Sequence, residues 1–298
     1  MNQRSFRIAA ATGCALLITG LTPVCAGSAQ ASPGTAGRVT APLADIVNIP
    51  WLSGPVVVAH RGASQVAPEN TLAAVDAADR QGFKWVENDV QQTRDGKLVV
   101  MHDTTLARTT DVRRVFPKRA PWRVRDFTAA EIARLDAGSW FGKRFARERV
   151  PTLAEFLRRM EDHDLRLLLE IKSPQLYPGI EARIVKELAG AGWLDRGHAR
   201  RRLVVQSFSA SSMQTVHRLV PGVRTGFLGN PPLKALASYT RYVDQINPQL
   251  SKVNAQYVAA VHRLRGVHGR RMEVFAWDVP LRNHAAIASA YGFDGVIV

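Results

Sequence analysis

The sequence has 298 residues, a hydrophobic fraction of 46% and a formal net charge of +15 at pH 7. Its two cysteines, Cys14 and Cys25, lie within the first 31 residues, so the rest of the chain has no thiol. This excludes a small disulfide-stabilised scaffold, and the stability of the protein must come from a buried core. The 267 residues after position 31 (298 less 31) are enough for one large domain with such a core.

The first 53 residues are predicted to lie outside that domain. In residues 1–31, two arginines precede an apolar stretch from Ile8 to Val24, and Ala29-Gln30-Ala31 forms a small-x-small cleavage site, which is the pattern of a Sec-type signal peptide. Residues 32–53 are rich in small residues and proline and are predicted to form a flexible linker. We therefore expect a secreted or extracellular protein without stable membrane insertion, and cell-wall association is an alternative location.

The positive charge comes mainly from 32 arginines, against 8 lysines. The clearest basic clusters are Arg113-Arg114, Lys118-Arg119, Arg200-Arg201-Arg202 and Arg270-Arg271. Such a surface attracts an anionic partner, for example a phosphate-bearing substrate or an anionic wall polymer or surface. The alternative is a solvated basic surface without a partner. No nucleic-acid-binding motif is present, so nucleic acid is not expected as a partner.

Short apolar runs alternate with amphipathic segments from residue 54 onward. The predicted strands are Val56–His60, Trp85–Val90, Leu167–Ile171, Leu203–Gln206, Arg224–Leu228, Val243–Asn247, Glu273–Trp277 and Gly295–Val298. The predicted helices are Thr71–Arg80, Leu153–His163, Pro178–Ala191, Ala210–Leu219, Leu233–Arg241, Ala255–Leu264 and Leu281–Ala290. Eight strands, most of them followed by a helix, predict an α/β fold, a TIM-type (β/α)8 barrel over residues 54–298. A doubly wound open sheet is the alternative, but no glycine-rich dinucleotide turn follows the first strand.

The segment at about residues 103–150 interrupts the alternation between the second and third barrel strands. It is long, polar and basic, and segments of this length inside a domain are usually functional or disordered. In a barrel, an insertion that follows a strand lies over the C-terminal mouth. Trp140 and Phe141 would then either form a wall of a substrate pocket or anchor the insertion by ordinary burial.

Ionisable side chains recur where predicted strands end. His60 and Arg61 end the first strand, and Glu87 and Asp89 on the second lie two residues apart, so they face the same side. The ends of later extended runs carry further members of this set: His102, Glu170 and Lys172. The carboxyl ends of barrel strands meet at one mouth, where buried charges are costly unless they pair or bind a metal. The pattern therefore predicts a functional site there.

The segment Pro68-Glu69-Asn70-Thr71 precedes the first predicted helix. Asn70 or Thr71 is expected to cap that helix. Glu69 either has a structural role or orients a catalytic group.

The segments "AHRG", "APENTLAA", "ENDVQQTRDGKLVVMHD" and "LARTT" together resemble the glycerophosphodiester phosphodiesterase family. The resemblance continues through "DFTAAEIARLDAGSWF", "RVPTLAEFL", "LLLEIK", "VVQSF", "VFAWDV" and "GFDGVIV". It implies a TIM-type barrel, one divalent cation, and hydrolysis of glycerophosphodiesters to glycerol 3-phosphate and an alcohol.

The resemblance also implies roles for individual residues. His60 and His102 match the catalytic histidines, and Arg61 and Lys172 match groups that contact phosphate. The metal ligands correspond to the three carboxylates Glu87, Asp89 and Glu170. A substrate pocket is expected to include Trp140, Phe141, Gln206 and Trp277. The sequence departs from the family pattern at Trp277-Asp278, where Trp-Thr is usual, and at Val298, where an Asp-x-Pro segment usually follows.

The chemistry of these side chains agrees with the resemblance. Three carboxylates favour a hard cation, Ca²⁺ or Mg²⁺, over zinc, and two histidines can share the acid and base roles. The attacking oxygen is either the 2-hydroxyl of the substrate's own glycerol or a water molecule. Two other functions stay open: a phospholipase C- or D-like enzyme acting on lipid head groups, and a non-enzymatic binder of wall polyanions.

Overall fold

Alternating side chains of each central strand face two different hydrophobic environments, and this arrangement sets the fold. The computed structural model describes residues 54–298, so the predicted signal peptide and linker lie outside the described residues. The strands are β1 (Val56–Ala59), β2 (Trp85–Gln92), β3 (Leu98–Val100), β4 (Arg166–Ile171), β5 (Leu203–Ser207), β6 (Arg224–Leu228), β7 (Gln245–Asn247), β8 (Glu273–Ala276) and β9 (Gly295–Ile297).

The α-helices lie mainly between these strands. They are α1 (Leu72–Arg80), α2 (Val112–Val115), α3 (Ala129–Ile132), α4 (Leu153–Asp162), α5 (Ile180–Gly190), α6 (Arg196–Arg201), α7 (Ala210–Leu219), α8 (Leu236–Tyr239), α9 (Ala255–His262) and α10 (His284–Tyr291). Single 3₁₀ turns occupy Val124–Asp126, Lys143–Phe145, Pro174–Leu176, Leu233–Ala235, Leu250–Lys252 and Leu281–Asn283. None of the helices within residues 54–298 has the length and apolar character needed to cross a lipid bilayer.

Eight strands form a closed parallel barrel, which confirms the predicted fold class. Going round the barrel, the order is β1, β9, β8, β7, β6, β5, β4 and β2, and β2 pairs again with β1. The ninth strand, β3, runs antiparallel to the end of β2 and extends it beyond the barrel. The last strand pairs with both β8 and β1, so the barrel closes with the residues before Val298.

Both faces of the barrel strands are buried. The interior is filled by a small cluster that includes Val58, Trp85, Leu168, Val204 and Phe275, while the residues between them pack outward against the helices. The absence of a side chain at Gly295 makes this packing possible, because a Cβ there would lie 2.6 Å from the Phe275 ring. Burial on both faces explains why the strands read as nearly continuous apolar runs.

Several element boundaries differ from the predictions. The strand predicted from Val243 begins at Gln245, and the helix predicted over Leu233–Arg241 is a 3₁₀ turn followed by α8. The short helix α6 was not predicted. Its sequence, Arg196-Gly-His-Ala-Arg-Arg201, has no apolar periodicity, and the Asp195 carboxylate caps it by accepting from the backbone of His198 at 2.8 Å.

Residues 103–150 lie between β3 and α4 and have a hydrophobic core of their own. Leu106, Phe127 and Leu135 are fully buried in this cluster, which is separate from the core around the barrel. The guanidinium of Arg119 lies 3.9 Å from the centroid of the Phe127 ring, a distance typical of a cation-π contact. Although this segment is basic and polar in composition, it forms a packed subdomain.

Candidate active site

Three buried carboxylates lie together at the C-terminal mouth of the barrel. Glu87 and Asp89 point inward from β2, and Glu170 points inward from the neighbouring strand β4, where it is paired in register with Asp89. One oxygen of each carboxylate lies within 4.8 Å of the others. Their exposed fractions are 2%, 1% and 5%. The period-two alternation of a strand and the parallel register of β2 and β4 bring together residues 81 positions apart in sequence (170 less 89).

Burial and mutual repulsion shift the pKa values of the triad, and the direction of the shift differs between its members. Burial, together with the charges of Asp89 and Glu170, raises the pKa of Glu87 well above its ordinary value. Burial and the charge of Asp89 raise the pKa of Glu170 to about 7. For Asp89, burial acts in the same direction, but the charge of Lys172 and other positive groups outweigh it, and its pKa is lowered.

A divalent cation fits this donor set. Clustered carboxylates in a buried site are stabilised when a cation replaces the missing positive charge. All three donors are carboxylate oxygens, which suit Ca²⁺ or Mg²⁺ better than zinc. The groups predicted to hold the metal are therefore brought together by the fold.

The loop after β1 holds two of these carboxylates through its backbone and an amide. The backbone N–H of Arg61 donates to Oε2 of Glu87 at 2.9 Å, and Nδ2 of Asn70 donates to Oδ2 of Asp89 at 2.8 Å. Arg61 and Asn70 have φ values of 57° and 60°, a left-handed conformation that costs a non-glycine residue roughly 1–2 kcal/mol. Strain of this kind is often found where a loop positions functional groups.

Gly62 allows the same loop to pack closely on α1. Its φ is +79°, and a Cβ at this position would lie 2.6 Å from the Cβ and 2.8 Å from the backbone of Ala74. The His60-Arg61-Gly62 motif therefore needs glycine for steric reasons, independently of the chemistry of its two neighbours.

Two cationic side chains border the triad. Nζ of Lys172 lies 2.9 Å from Oε1 of Glu170 and 3.3 Å from Oδ1 of Asp89. Nε of Arg61 lies 3.6 Å from Oδ2 of Asp89 and has no hydrogen-bond partner, while its Nη1 donates to Oε1 of Glu69 at 2.8 Å. Both cations retain N–H groups that could meet an anion in the cavity.

The two histidines have different surroundings. Nε2 of His60 lies 3.9 Å from Oε2 of Glu87, and burial followed by the charge of Arg61 lowers the pKa of His60 to about 4. Nδ1 of His102 is 2.8 Å from Oδ1 of Asp103, a hydrogen bond that fixes the ring and leaves Nε2 available. The hydrogen bond at Nδ1 therefore leaves Nε2 as the nitrogen of His102 that could exchange a proton.

A chain of ion pairs joins the two sides of the mouth. Arg108 donates from both terminal nitrogens to Glu69, at 2.8 Å each, and its Nε donates to Oδ2 of Asp103 at 2.7 Å. Glu69 also accepts from Arg61, and Asp103 holds His102. Arg108 thus connects the loop that carries Arg61 to the loop that carries His102.

One cavity lies over these groups. It is lined by His60, Arg61, Glu87, His102, Glu170, Lys172, Gln206, Phe208, Trp277, Asp278 and Ile297. Asp89 belongs to the site through the triad. In the described part of the chain, the lining does not include Trp140 and Phe141, which pack edge to face on each other, with Phe141 also against Phe145.

Sequence reasoning missed several members of the site. Phe208 and Ile297 line the cavity, while Asp103 and Arg108 support His102. Asp278, noted in the sequence only as a departure from the family pattern, lines the cavity as well. Asp103 follows His102 directly and could have been recognised, but the long-range pairing of Arg108 with Glu69 leaves no mark in either segment. In the "PENT" segment Thr71 caps α1, and Asn70 instead binds Asp89.

Comparisons with known proteins place this geometry in a family. The model of the glycerophosphoryl diester phosphodiesterase family matches residues 60–298. The Bacillus subtilis protein YhdW, provisionally named as a glycerophosphodiester phosphodiesterase, is 34% identical over 81% of this chain and 93% of its own length. A glycerophosphodiester phosphodiesterase of Caldanaerobacter subterraneus is 41% identical over 58% of this chain and 66% of its own length.

A solved structure agrees with these relatives. An Oleispira antarctica phosphodiesterase, determined in complex with its product sn-glycerol 3-phosphate, superposes with a TM-score of 0.69 at 29% identity. The superposition covers 83% of this chain and 94% of the other. The chain described here belongs to the glycerophosphoryl diester phosphodiesterase family.

Proposed function

We propose that this enzyme hydrolyses glycerophosphodiesters to glycerol 3-phosphate and an alcohol with the help of one divalent cation and two histidines. The observation that carries the proposal is the set of side chains around one cavity: a buried carboxylate triad, two histidines and two cations. The product bound to the Oleispira antarctica relative supports the substrate class. The proposed signal peptide would place this activity outside the cell.

Glu87, Asp89 and Glu170 would hold the cation, for which Ca²⁺ or Mg²⁺ is the expected identity. When bound, the cation would polarise the phosphoryl oxygens and reduce the charge that repels a nucleophile. Arg61 and Lys172, which both line the cavity, would donate hydrogen bonds to the phosphate. The stems of both side chains are mostly buried, and their carboxylate partners restrict them further. Little conformational entropy is therefore lost when the substrate binds.

His60 and His102 would share the proton transfers. One ring removes a proton from the attacking oxygen, and the other supplies a proton to the oxygen of the departing alcohol. Asp103 would keep the free Nε2 of His102 directed at the reacting group, because the hydrogen bond to Nδ1 fixes the ring. The same pair of histidines would exchange roles in a second step.

The proposed nucleophile in the first step is the 2-hydroxyl of the substrate's glycerol. Its oxygen attacks phosphorus, the bond from phosphorus to the alcohol oxygen breaks, and the alcohol leaves with a proton. The remaining cyclic glycerol phosphate is then opened by water to glycerol 3-phosphate. Attack within one molecule has a large effective-concentration advantage over attack by solvent.

Two measurements test the proposal. Purified protein is assayed for glycerol 3-phosphate release from several glycerophosphodiesters, first after EDTA treatment and then after addition of Ca²⁺, Mg²⁺ or Zn²⁺. We expect the chelated protein to be inactive and Ca²⁺ or Mg²⁺ to restore turnover. Full activity of the metal-free protein would contradict the role of the cation, and hydrolysis of intact phospholipid vesicles in preference to soluble diesters would favour a lipid-directed enzyme.

A substrate analogue distinguishes attack by the 2-hydroxyl from attack by water. 3-Hydroxypropyl phosphocholine lacks the 2-hydroxyl of glycerophosphocholine and is otherwise the same diester. An enzyme that uses internal attack should bind this compound as a competitive inhibitor and fail to cleave it. Cleavage at a rate comparable with that of glycerophosphocholine would instead assign the attack to water.

A further inference from the structure

The part of the cavity wall that follows β5 and β8 differs from the charged part built on β1, β2 and β4. Phe208 comes directly after β5 and Trp277 directly after β8, and both side chains line the cavity. Their ring centroids are 5.9 Å apart with the planes at 85°, an edge-to-face pair. Phe208 is 52% exposed, although it is a large apolar side chain. An exposed aromatic pair at a cavity mouth points to a ligand with an apolar surface.

Asp278 adds a carboxylate to this aromatic corner. The residue is exposed, lines the same cavity and has a left-handed φ of 58°. Its Oδ2 accepts from Nε2 of Gln249 at 2.7 Å, and Gln249 forms a β-bridge with Trp277, so the carboxylate is held beside the indole. Within residues 54–298, no Lys, Arg or His nitrogen lies within 4.0 Å of it as an ion-pair partner.

We propose that Phe208, Trp277 and Asp278 form a subsite for a positively charged amino alcohol, of the choline or ethanolamine class, esterified to the substrate phosphate. The proposal rests on the proposed function, because it assigns one arm of the same phosphodiester. A quaternary or primary ammonium is attracted by the faces of aromatic rings and by a nearby carboxylate. The ammonium of Lys172 lies 5.7 Å from the centroid of the Phe208 ring, within the range at which a ring face attracts a cation.

The alternative occupant of the corner is the glycerol arm, whose hydroxyls could donate to Asp278. The glycerol arm has only three carbons, each bonded to an oxygen, so two aromatic rings would gain less from contact with it than from contact with a methylated ammonium. An ammonium that carries methyl or methylene groups interacts with both the aromatic rings and the carboxylate. Its carbon surface contacts the rings, and its charge faces Asp278. The combination of groups therefore favours the amino alcohol.

The test compares charged and neutral alcohols in one variant. The value of kcat/KM is measured for wild type and Asp278→Asn on glycerophosphocholine, glycerophosphoethanolamine and glycerophosphoglycerol, with the same cation present. We expect the ratio of kcat/KM for each charged substrate to that for glycerophosphoglycerol to fall by about threefold to tenfold, mainly through KM, since a partly exposed charge pair has a modest effect. Because the ratio is taken within one preparation, it is independent of the fraction of folded protein.

Two further variants sharpen the result. Phe208→Leu should lower the ratio for glycerophosphocholine more than for glycerophosphoethanolamine, because the methyl groups of choline make more contact with a ring. Asp164→Asn is the matched control: Asp164 is also a non-glycine residue with positive φ, its side chain is 92% exposed, and it precedes β4 at the opposite end of the barrel. Its ratios should equal those of wild type.

The outcomes separate the two proposals. An unchanged ratio in Asp278→Asn, or an equal loss on all three substrates, would overturn the amino-alcohol subsite and leave the phosphodiesterase function in place. An equal loss would assign Asp278 to a part of the site that all three substrates share, either the glycerol arm or His60, on which the charge of Asp278 acts. A wild-type protein that released no glycerol 3-phosphate from any of the three substrates would overturn the proposed function as well.

Discussion

The two ends of the barrel both carry carboxylates, which are partly buried at the N-terminal end and almost fully buried at the C-terminal mouth, and the partners of the two sets differ. At the N-terminal end, Glu273 on β8 accepts from Arg224 on β6 and from Nε2 of Gln245 on β7 inside the barrel. Asp294, just before β9, accepts from the backbone of Val274 at 2.8 Å and pairs with His262 and Arg271. Burial alone would raise the pKa of Asp294, but these partners outweigh it, and its pKa is lowered.

At the C-terminal mouth, burial is deeper and its effect on two of the carboxylates is not offset by positive partners. The three carboxylates of the triad lie within 4.8 Å of one another and share the charges of Lys172 and Arg61, and the pKa values of Glu87 and Glu170 are raised. A carboxylate with complete partners stabilises the fold, whereas a cluster without them destabilises it until a ligand supplies the missing charge. The difference between the ends therefore separates the groups that hold the barrel together from those available for chemistry.

The largest effect is expected when one carboxylate at each end is replaced. Glu170→Gln should reduce kcat/KM by more than about 10³-fold, because the cation loses a direct ligand and even outer groups of a metal site are worth about 10–100-fold. In EDTA at pH 8 the same variant should melt at a higher temperature than wild type, since a buried repulsive charge has been removed. Added Ca²⁺ or Mg²⁺ should raise the melting temperature of wild type more than that of the variant.

Glu273→Gln is the counterpart at the opposite end. It should lower the melting temperature, because it leaves the charge of Arg224 without its partner. If both variants changed stability in the same direction, the proposed contrast between the two ends would be wrong.

The histidines come next in expected effect. His60→Ala and His102→Ala should each lower kcat by at least about 100-fold, because each removes a proton-transfer group. The circular dichroism spectrum should match that of wild type, since both rings lie at the edge of the cavity and not in the core. A variant that kept near wild-type turnover would show that its histidine is structural.

Substitution of Arg108 tests whether activity depends on the ion pairs that position the loops at the mouth. Arg108→Lys cannot reproduce the paired hydrogen bonds to Glu69 and Asp103, so His102 and Arg61 should be held less firmly. We expect kcat to fall by about tenfold with a smaller change in KM, because a positioning residue acts on proton transfer more than on binding.

Arg114→Lys is a suitable control for this prediction. Arg114 pairs with Asp111 on the surface of the insertion, and its side chain is 78% exposed. The control should have wild-type kinetics. A loss of stability in Arg108→Lys without a change in kcat would assign Arg108 to the fold alone.

The smallest expected effect concerns acid stability at the N-terminal end. Because the pKa of Asp294 is lower in the folded protein than the ordinary value of about 3.9, its contribution is present above that value and is lost as pH falls through the folded pKa. Asp294→Asn should be less stable than wild type by about 1–3 kcal/mol at pH 7, and the difference should shrink below about pH 4.

Urea unfolding at several pH values between 7 and 3 measures this difference. Asp162→Asn, at an exposed position on the last turn of α4, serves as the control and should change stability little at any pH. A pH-independent difference between Asp294→Asn and wild type would show that the charge of Asp294 has no part in its effect.

Much of the site could be predicted because it is attached to strand ends. The pairs Glu87 and Asp89, and Glu170 and Lys172, follow the period of two that a strand imposes, and a parallel barrel brings strand ends to one mouth. The supporting groups could not be predicted in this way. Arg108 and Glu69 lie in loops 39 residues apart, and loop conformation depends on contacts that no local pattern encodes.

The sequence by itself determined the alternation of buried strands and amphipathic helices, and with it the barrel and the identity of the ionisable groups at its mouth. Only the tertiary structure decided which of those groups are neutralised. Burial, strand register and the left-handed turns at Arg61 and Asn70 set the distances between these charges, and those distances give Asp89 a lowered pKa and Glu170 a raised one. Electrostatic energy depends on separation in space and on access to water, and neither can be read from the order of residues along the chain.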